Sequence, residues 1–267
     1  MNGIANRVAI VSGGATSVGA AIVRAIVAAG GRAVAADIDV AAGENLAQEL
    51  APAATFVPMN LASDADIDRV VTTAIAKFGR IDFVINAAAD YADQGAASDR
   101  EAWHRSLDVN LIGPVMLVRA TRHHLIKHGG AVVNIGSISA KVAQHGRWLY
   151  PAAKAALHQM TRSLALDLAG TGVRVNTVSP GWMFSSTMEK FGLTRGVVDS
   201  IAGSFHLVPR AADRNEVADV AVFLCSEHAK FVNGADVPVD GGYTAIGPEA
   251  KTAALELLLQ AAQVQSA

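Results

Sequence analysis

The chain has 267 residues, 51% of them hydrophobic, with 17% charged and a formal net charge of -2. That length and apolar content suit one large domain with a substantial core. Near-neutral, interspersed charge recommends neither a nucleic-acid partner nor an anionic membrane surface. The lone Cys225 excludes an intrachain disulfide framework and fits a reducing compartment and a buried helical position. The first apolar run, VAIV, is short and followed at once by glycines, unlike a signal peptide. No apolar stretch reaches the roughly 18 residues that span a bilayer. A soluble, cytoplasmic protein is the expectation.

In chain order, apolar runs predict strands at Arg7–Ser12, Arg32–Ala36, Thr55–Pro58, Ile81–Asn86, Ala131–Gly136, Arg174–Val178 and Asp236–Val239. Between them, helical patterns run over Val18–Ala29, Ala41–Leu50, Asp64–Phe78, Leu111–Lys127, Ala152–Ala169 and Glu216–Ser226. Gly30-Gly31 and Gly129-Gly130 fit helix ends, and Ser63-Asp64 fits a helix start. The alternation predicts an α/β fold: one Rossmann-like, doubly wound parallel sheet of about seven strands flanked by helices. We assign residues 1–247 to that domain, with a substrate excursion at about 182–210, and residues 248–267 to a helical tail.

The first strand opens into SGGATSVGAAIV, where Gly13, Gly14 and Gly19 let backbone N–H groups approach a pyrophosphate at a helix N-terminus. Asp37 follows Gly19 by eighteen residues, at the end of the second strand, where a carboxylate accepts hydrogen bonds from an adenosine ribose. It would also repel a 2′-phosphate, and none of Thr16, Ser17, Ile38 and Asp39 is a cation that could hold one. NAD is therefore expected over NADP.

Ser137, Tyr150 and Lys154 follow the apolar run AVVNIG. Taken alone, Tyr150 and Lys154 are an i,i+4 pair of the kind common on exposed helix faces. With the glycine turn they form a larger set. Ser12-Gly13-Gly14-Ala15-Thr16-Ser17-Val18-Gly19, Asn110 in DVNLIG, Ser137, Tyr150-xxx-Lys154, Pro180-Gly181 and Val239–Gly242 occur in order. From Arg7 to about Ala245 the chain resembles the short-chain dehydrogenase/reductase family in its single-domain form. It departs from the family pattern at three places. Ser17 stands at the middle glycine, Asn60 where an aspartate commonly faces the adenine, and Ile85-Asn86-Ala87-Ala88 in place of NNAG.

The resemblance implies a catalytic set of Asn110, Ser137, Tyr150 and Lys154. A free tyrosine has a pKa of about 10, so at pH 7 only about one in a thousand is phenolate. An ammonium on the same helical face, with a positive nicotinamide, is expected to favour the phenolate. Tyr150 would then exchange a proton with an alcohol or ketone, Ser137 would hold the reacting oxygen, and Asn110 would help hold a water connecting Lys154 to solvent. Coenzyme contacts are implied for Gly13, Ser17, Val18 and Gly19, for Asp37 and Ile38, and for Asn60 and Leu61. Others are implied for Asn86, Ala87 and Ala88, for Tyr150 and Lys154, and for Pro180, Gly181 and Met183. A homotetramer built on the helices at Leu111–Lys127 and Ala152–Ala169 is also implied.

Ser139, Trp148, Trp182 and Phe184 are candidate substrate contacts, with Tyr91 and His145 weaker ones. They suggest a hydrophobic or cyclic secondary alcohol or its ketone as substrate. Two alternatives remain open. One is reduction of a 3-oxoacyl thioester, with Lys141, Arg147 and Arg210 as basic residues for a phosphopantetheine carrier. The other is a non-catalytic NAD(H) sensor. No metal is expected: His124 and His128 have i,i+4 spacing but sit in the last turn of a helix, where imidazoles suit the macrodipole. Asp82, His104, His158 and His206 read as structural or solvated.

Overall fold

A computed structural model describes residues 1–185, 188–189, 191–247 and 256–258. The seven strands are β1 (Val8–Ser12), β2 (Arg32–Asp37), β3 (Ala54–Pro58), β4 (Phe83–Asn86), β5 (Ala131–Ile135), β6 (Arg174–Pro180) and β7 (Asp236–Val239). They form one parallel sheet in the order β3-β2-β1-β4-β5-β6-β7. Eight helices are described: α1 (Ser17–Ala28), α2 (Val40–Glu49), α3 (Asp64–Phe78), α4 (Arg100–Leu107), α5 (Gly113–His128), α6 (Leu149–Asp167), α7 (Arg195–Phe205) and α8 (Arg214–Cys225).

The two-residue period of each strand divides the core between the faces of the sheet. Ala9, Val11, Phe83, Ile85, Val133 and Val178 meet Ile22 and Ile26 of α1 and Val217 and Val222 of α8. Ile10, Val34, Val84, Val132 and Val175 face the other way, onto Val70 of α3, Leu117 and Leu125 of α5, and Ala165 of α6. Burial on both faces explains why the strands read as continuous apolar runs.

Chain order reverses between β1 and β4, so a crevice opens at their carboxyl ends, the place where parallel sheets of this kind take ligands. On the α5–α6 face, the residues lying side by side near those ends are polar. Asn86 donates to Asn134 (2.8 Å), Asn134 donates to Thr161 (2.9 Å), and the Thr161 and Thr177 hydroxyls meet at 2.7 Å. Ser12 is the register neighbour of Asn86.

Two helices were not anticipated. α4 (REAWHRSL) fully buries only Ser106, with Ala102, Trp103 and Leu107 half-buried on the same side, a short face masked by the charged residues around it; its one local signal is Asp99, which accepts from the Ala102 N–H at 2.8 Å. A π-type turn at Asp108–Ile112 then joins α4 to α5, so the expected start at Leu111 falls inside that turn. α7 lies within the excursion assigned to about 182–210, and it buries Val198 and Ala202 while Val197, Ile201 and Phe205 stay exposed. Of the expected tail, residues 256–258 are helical and the rest lies outside the described residues. No helix among the described residues is long and apolar enough to cross a membrane.

Candidate active site

The turn after β1 is closed by contacts that admit no side chain. Gly13 has φ +66°, and a Cβ there would stand 2.6 Å from the Ala88 backbone; a Cβ on Gly19 would stand less than 2.5 Å from the Gly13 carbonyl oxygen. Ser17, at the start of α1, adopts φ +48°, a left-handed conformation that strains a residue with a Cβ. Asp37 is 8% exposed at the end of β2. Its Oδ2 accepts from the Ala15 N–H (3.0 Å) and its Oδ1 from the Asp39 N–H (3.1 Å), so the acid braces the turn that it borders.

A dinucleotide fits this edge. Ser12 Oγ and Asn86 Oδ1, at the ends of β1 and β4, are buried and lack a protein partner. Such atoms are uncommon in a finished core and are satisfied by water or ligand. Val18 is buried at the first turn of α1, Leu61 after β3, and Ile38 is 75% exposed beyond Asp37. Asn60 is exposed and its Oδ1 already accepts from the Ala62 N–H at 3.0 Å. Ala87 continues β4, donating its N–H to Ser12 O. Pro180 ends β6, and the Gly181 N–H continues the ladder to Val239 O.

Asn110, Ser137, Tyr150 and Lys154 are all buried, at 0, 8, 6 and 2% exposure. Asn110 lies in the π-type turn, a form of helix insertion frequent at functional sites. Its amide clamps the loop after β4, accepting from the Asp90 N–H (3.1 Å) and donating to the Asp90 carbonyl (2.9 Å). Ser137 and Ser139 follow β5; the Ser137 hydroxyl donates to Ser139 Oγ (3.1 Å), and Ser139 donates to Gln144 Oε1 (2.6 Å). Lys154 donates to the Ile135 carbonyl (2.8 Å), with its ammonium 5.5 Å from the centre of the Tyr150 ring.

Electrostatics here differ from the sequence expectation in one respect. Burial pushes the Tyr150 phenol well above its ordinary value of 10, and Tyr91 adds to this; Ser137 and Arg147 pull the other way but do not prevail. The protein alone therefore keeps Tyr150 protonated. Burial also lowers Lys154 to about 8, because an ammonium loses its hydration there.

Around this centre, the Tyr91 ring packs on Tyr150 at 5.0 Å between centroids. Trp148 caps the start of α6 and is half exposed; Trp182 stacks on Phe205 at 6.1 Å. Phe184 instead packs with Val198, Ala202 and Ala211 beneath α7, and Met183 packs against the main core. His206 is structural: Nδ1 donates to the Arg210 carbonyl (2.8 Å), which fixes the tautomer and leaves Nε2 to accept the Trp182 N–H (3.3 Å). Burial pushes the Cys225 thiol up to about 12, so it is inert.

Two comparisons place this arrangement. A family model described as enoyl-(acyl carrier protein) reductase matches residues 13–244. The chain is also 37% identical over 245 residues to the 3-alpha-(or 20-beta)-hydroxysteroid dehydrogenase of Mycobacterium tuberculosis, covering 90% of each protein. The chain is a short-chain dehydrogenase/reductase. Other members of that family include the L-fucose dehydrogenase of Mus musculus, 35% identical with 88% of each chain covered. The cis-4-hydroxycyclohexanecarboxylate dehydrogenase of Sinomonas cyclohexanicum is 35% identical, covering 91% of this chain and 98% of its own. Among solved structures, the crystal structure of gox2181 matches with a TM-score of 0.83 at 30% identity, covering 90% of this chain and 96% of the other. The relatives are oxidoreductases of secondary alcohols, and this short-chain dehydrogenase/reductase is an enzyme of that kind using a nicotinamide coenzyme.

Three residues of this short-chain dehydrogenase/reductase site escaped the sequence reading in their present roles. Asp93 accepts from the N–H groups of Trp148 (2.9 Å), Tyr150 (3.1 Å) and Gly95 (2.9 Å), pinning the first turn of α6. Burial raises its carboxyl pKa, but these bonds outweigh burial and hold it below the usual carboxylate range. Gln144 terminates the hydroxyl chain from Ser137, and Arg147 lies beside Tyr150. Asp93 leaves no local pattern because the helix amides that it holds lie 55 and 57 positions away, whereas Gln144 and Arg147 sit close to their partners but match no motif that marks them.

Proposed function

We propose that this enzyme interconverts a hydrophobic or cyclic secondary alcohol and its ketone with NAD(H), and that Tyr150 is its general acid and base. The observation that carries the reading is the buried cluster of Ser137, Tyr150 and Lys154 beside a glycine-closed turn. NAD(H) would be held by that turn, by Asp37 and by Lys154, and it would accept the hydride in oxidation and give it in reduction.

In the reducing direction a protonated Tyr150 is the form needed, and burial maintains it. The ketone oxygen takes its proton from the phenol while the Ser137 hydroxyl holds that oxygen in place. In the oxidising direction the phenolate must form in a buried site, which requires positive charge nearby. Lys154, with a pKa of about 8, is about nine-tenths protonated at pH 7 and supplies one such charge. Asp37 supports NAD over its phosphorylated form, since its carboxylate stands where a 2′-phosphate would be repelled.

The aromatic surfaces of Tyr91, Trp148 and Trp182 support an apolar or ring substrate, as do relatives named for steroid and cyclohexane alcohols. The acyl-carrier alternative has less behind it. Lys141 is paired with Asp236 (2.6 Å) and Arg210 with Glu216 (2.6 Å), which leaves few cations for a phosphopantetheine arm. Tyr150→Phe tests the mechanism: we expect turnover to fall by at least about a thousandfold, while NADH binding, read by fluorescence, stays within a few-fold. Retained turnover would remove Tyr150 from the chemistry.

A further inference from the structure

Arg147 lies beside Tyr150 and meets no carboxylate among the described residues. Its guanidinium carbon lies 5.7 Å from the centre of the Tyr150 ring. Its side chain makes no hydrogen bond or ion pair among the described residues, and its Nε is buried without a partner. Other cations of the connections that follow the strands contrast with it. Arg105 is paired with Asp90, Lys141 with Asp236, Arg195 with Asp199 and Asp213, and Arg210 with Glu216. Lys154 is committed to the Ile135 carbonyl.

Asp93, bonded to the Trp148 N–H next to Arg147 in the chain, is also occupied. Asp93 spends its oxygens on the N–H groups of Gly95, Trp148, Leu149 and Tyr150. The Nε is covered by protein, but the two end amines are accessible and have no protein acceptor among the described residues, so an anion arriving with substrate can pair with them. A planar fork of donors is also the group that best matches a carboxylate in two-point contact. The phenolic oxygen of Tyr150 extends about 3 Å from its ring centre, by standard bond lengths. The two groups therefore lie within the span of one ring-sized molecule.

We propose that Arg147 is a specificity residue that selects substrates carrying a carboxylate, a ring's width away from the carbinol handled by Tyr150. This rests on the alcohol-dehydrogenase reading above and narrows its substrate class to cyclic hydroxy acids and their keto acids.

The test compares 3-hydroxycyclohexanecarboxylate with its methyl ester in the full-length protein with NAD, for the parent and Arg147→Met. The acid should be the better substrate of the parent by about tenfold or more in kcat/KM. Arg147→Met should lose at least about thirtyfold on the acid, equivalent to about 2 kcal/mol, and less than about threefold on the ester. Equal losses on acid and ester would overturn the proposal, since they would mean that the arginine acts only by packing on Tyr150. So would a parent that prefers the ester.

Calorimetric binding of cyclohexanecarboxylate to the NAD-loaded protein separates this proposal from the one beneath it. Binding that weakens about tenfold in Arg147→Met supports the anion site even if neither alcohol is oxidised, in which case only the dehydrogenase reading falls. Binding unchanged by the substitution overturns the anion site alone.

Discussion

Lys154→Met should make the coenzyme-free protein more stable while it removes activity. Lys154 is 2% exposed, has one hydrogen bond, and titrates at about 8 instead of 10.5. At about 1.4 kcal/mol per tenfold, that difference is a cost of about 3 kcal/mol for holding the ammonium charged in the fold at pH 7. Methionine has similar length and no charge, but it leaves the Ile135 carbonyl unpaired, which costs about 1–2 kcal/mol. The net expectation is about 1–2 kcal/mol of added stability, or roughly 3–6 °C in Tm for a chain of this size.

The sign of the pH dependence follows from the depressed value. Below about 8 the lysine is charged in both folded and unfolded states, and the cost is paid in full. Between about 8 and 10.5 the unfolded chain binds the extra proton, so the parent gains stability as pH rises. The advantage of Lys154→Met should therefore be constant below about pH 8 and shrink towards 10.5. Urea melts of parent and variant at fixed protein concentration between pH 6 and pH 10 read both features. A variant less stable than the parent at pH 7 would show that the ammonium is held at no net cost, and the reasoning would fail.

Ser17→Gly should raise stability by about 0.5–1 kcal/mol, because φ +48° strains serine and not glycine; a lower Tm counts against the strain. Asp37→Ala should raise the KM for NAD by about tenfold or more and that for NADP by much less, since only the phosphorylated coenzyme is relieved of repulsion. A parent enzyme that already prefers NADP refutes the coenzyme assignment. Light scattering at micromolar concentration should give four times the mass of one chain, and a monomer there excludes the tetramer.

Much of this architecture is legible in the residues because local and global signals agree. α3 begins and ends at the anticipated residues: Ser63 caps it through the Asp66 N–H, and Gly79, at φ +77°, stops it. The five inner strands are legible because both faces of each are covered. α4 is hidden by its polarity. α7 is hidden because it is short and sets Gly196 and Gly203 among Val197, Val198 and Ile201, residues of weak helical tendency. Of the site, Tyr150, Lys154 and the glycine turn are local patterns and can be read. Asp93 serves Trp148 from 55 positions away, and no spacing rule reports such a contact.

That same aspartate binds the fate of two distant stretches of chain. Three successive amides at the head of α6 hang on one carboxylate, so the connection between β4 and α4 that carries it and the phenol it supports should loosen together or not at all. Whatever stiffens that peripheral strap, a docked molecule included, thereby steadies the Tyr150 ring without touching it.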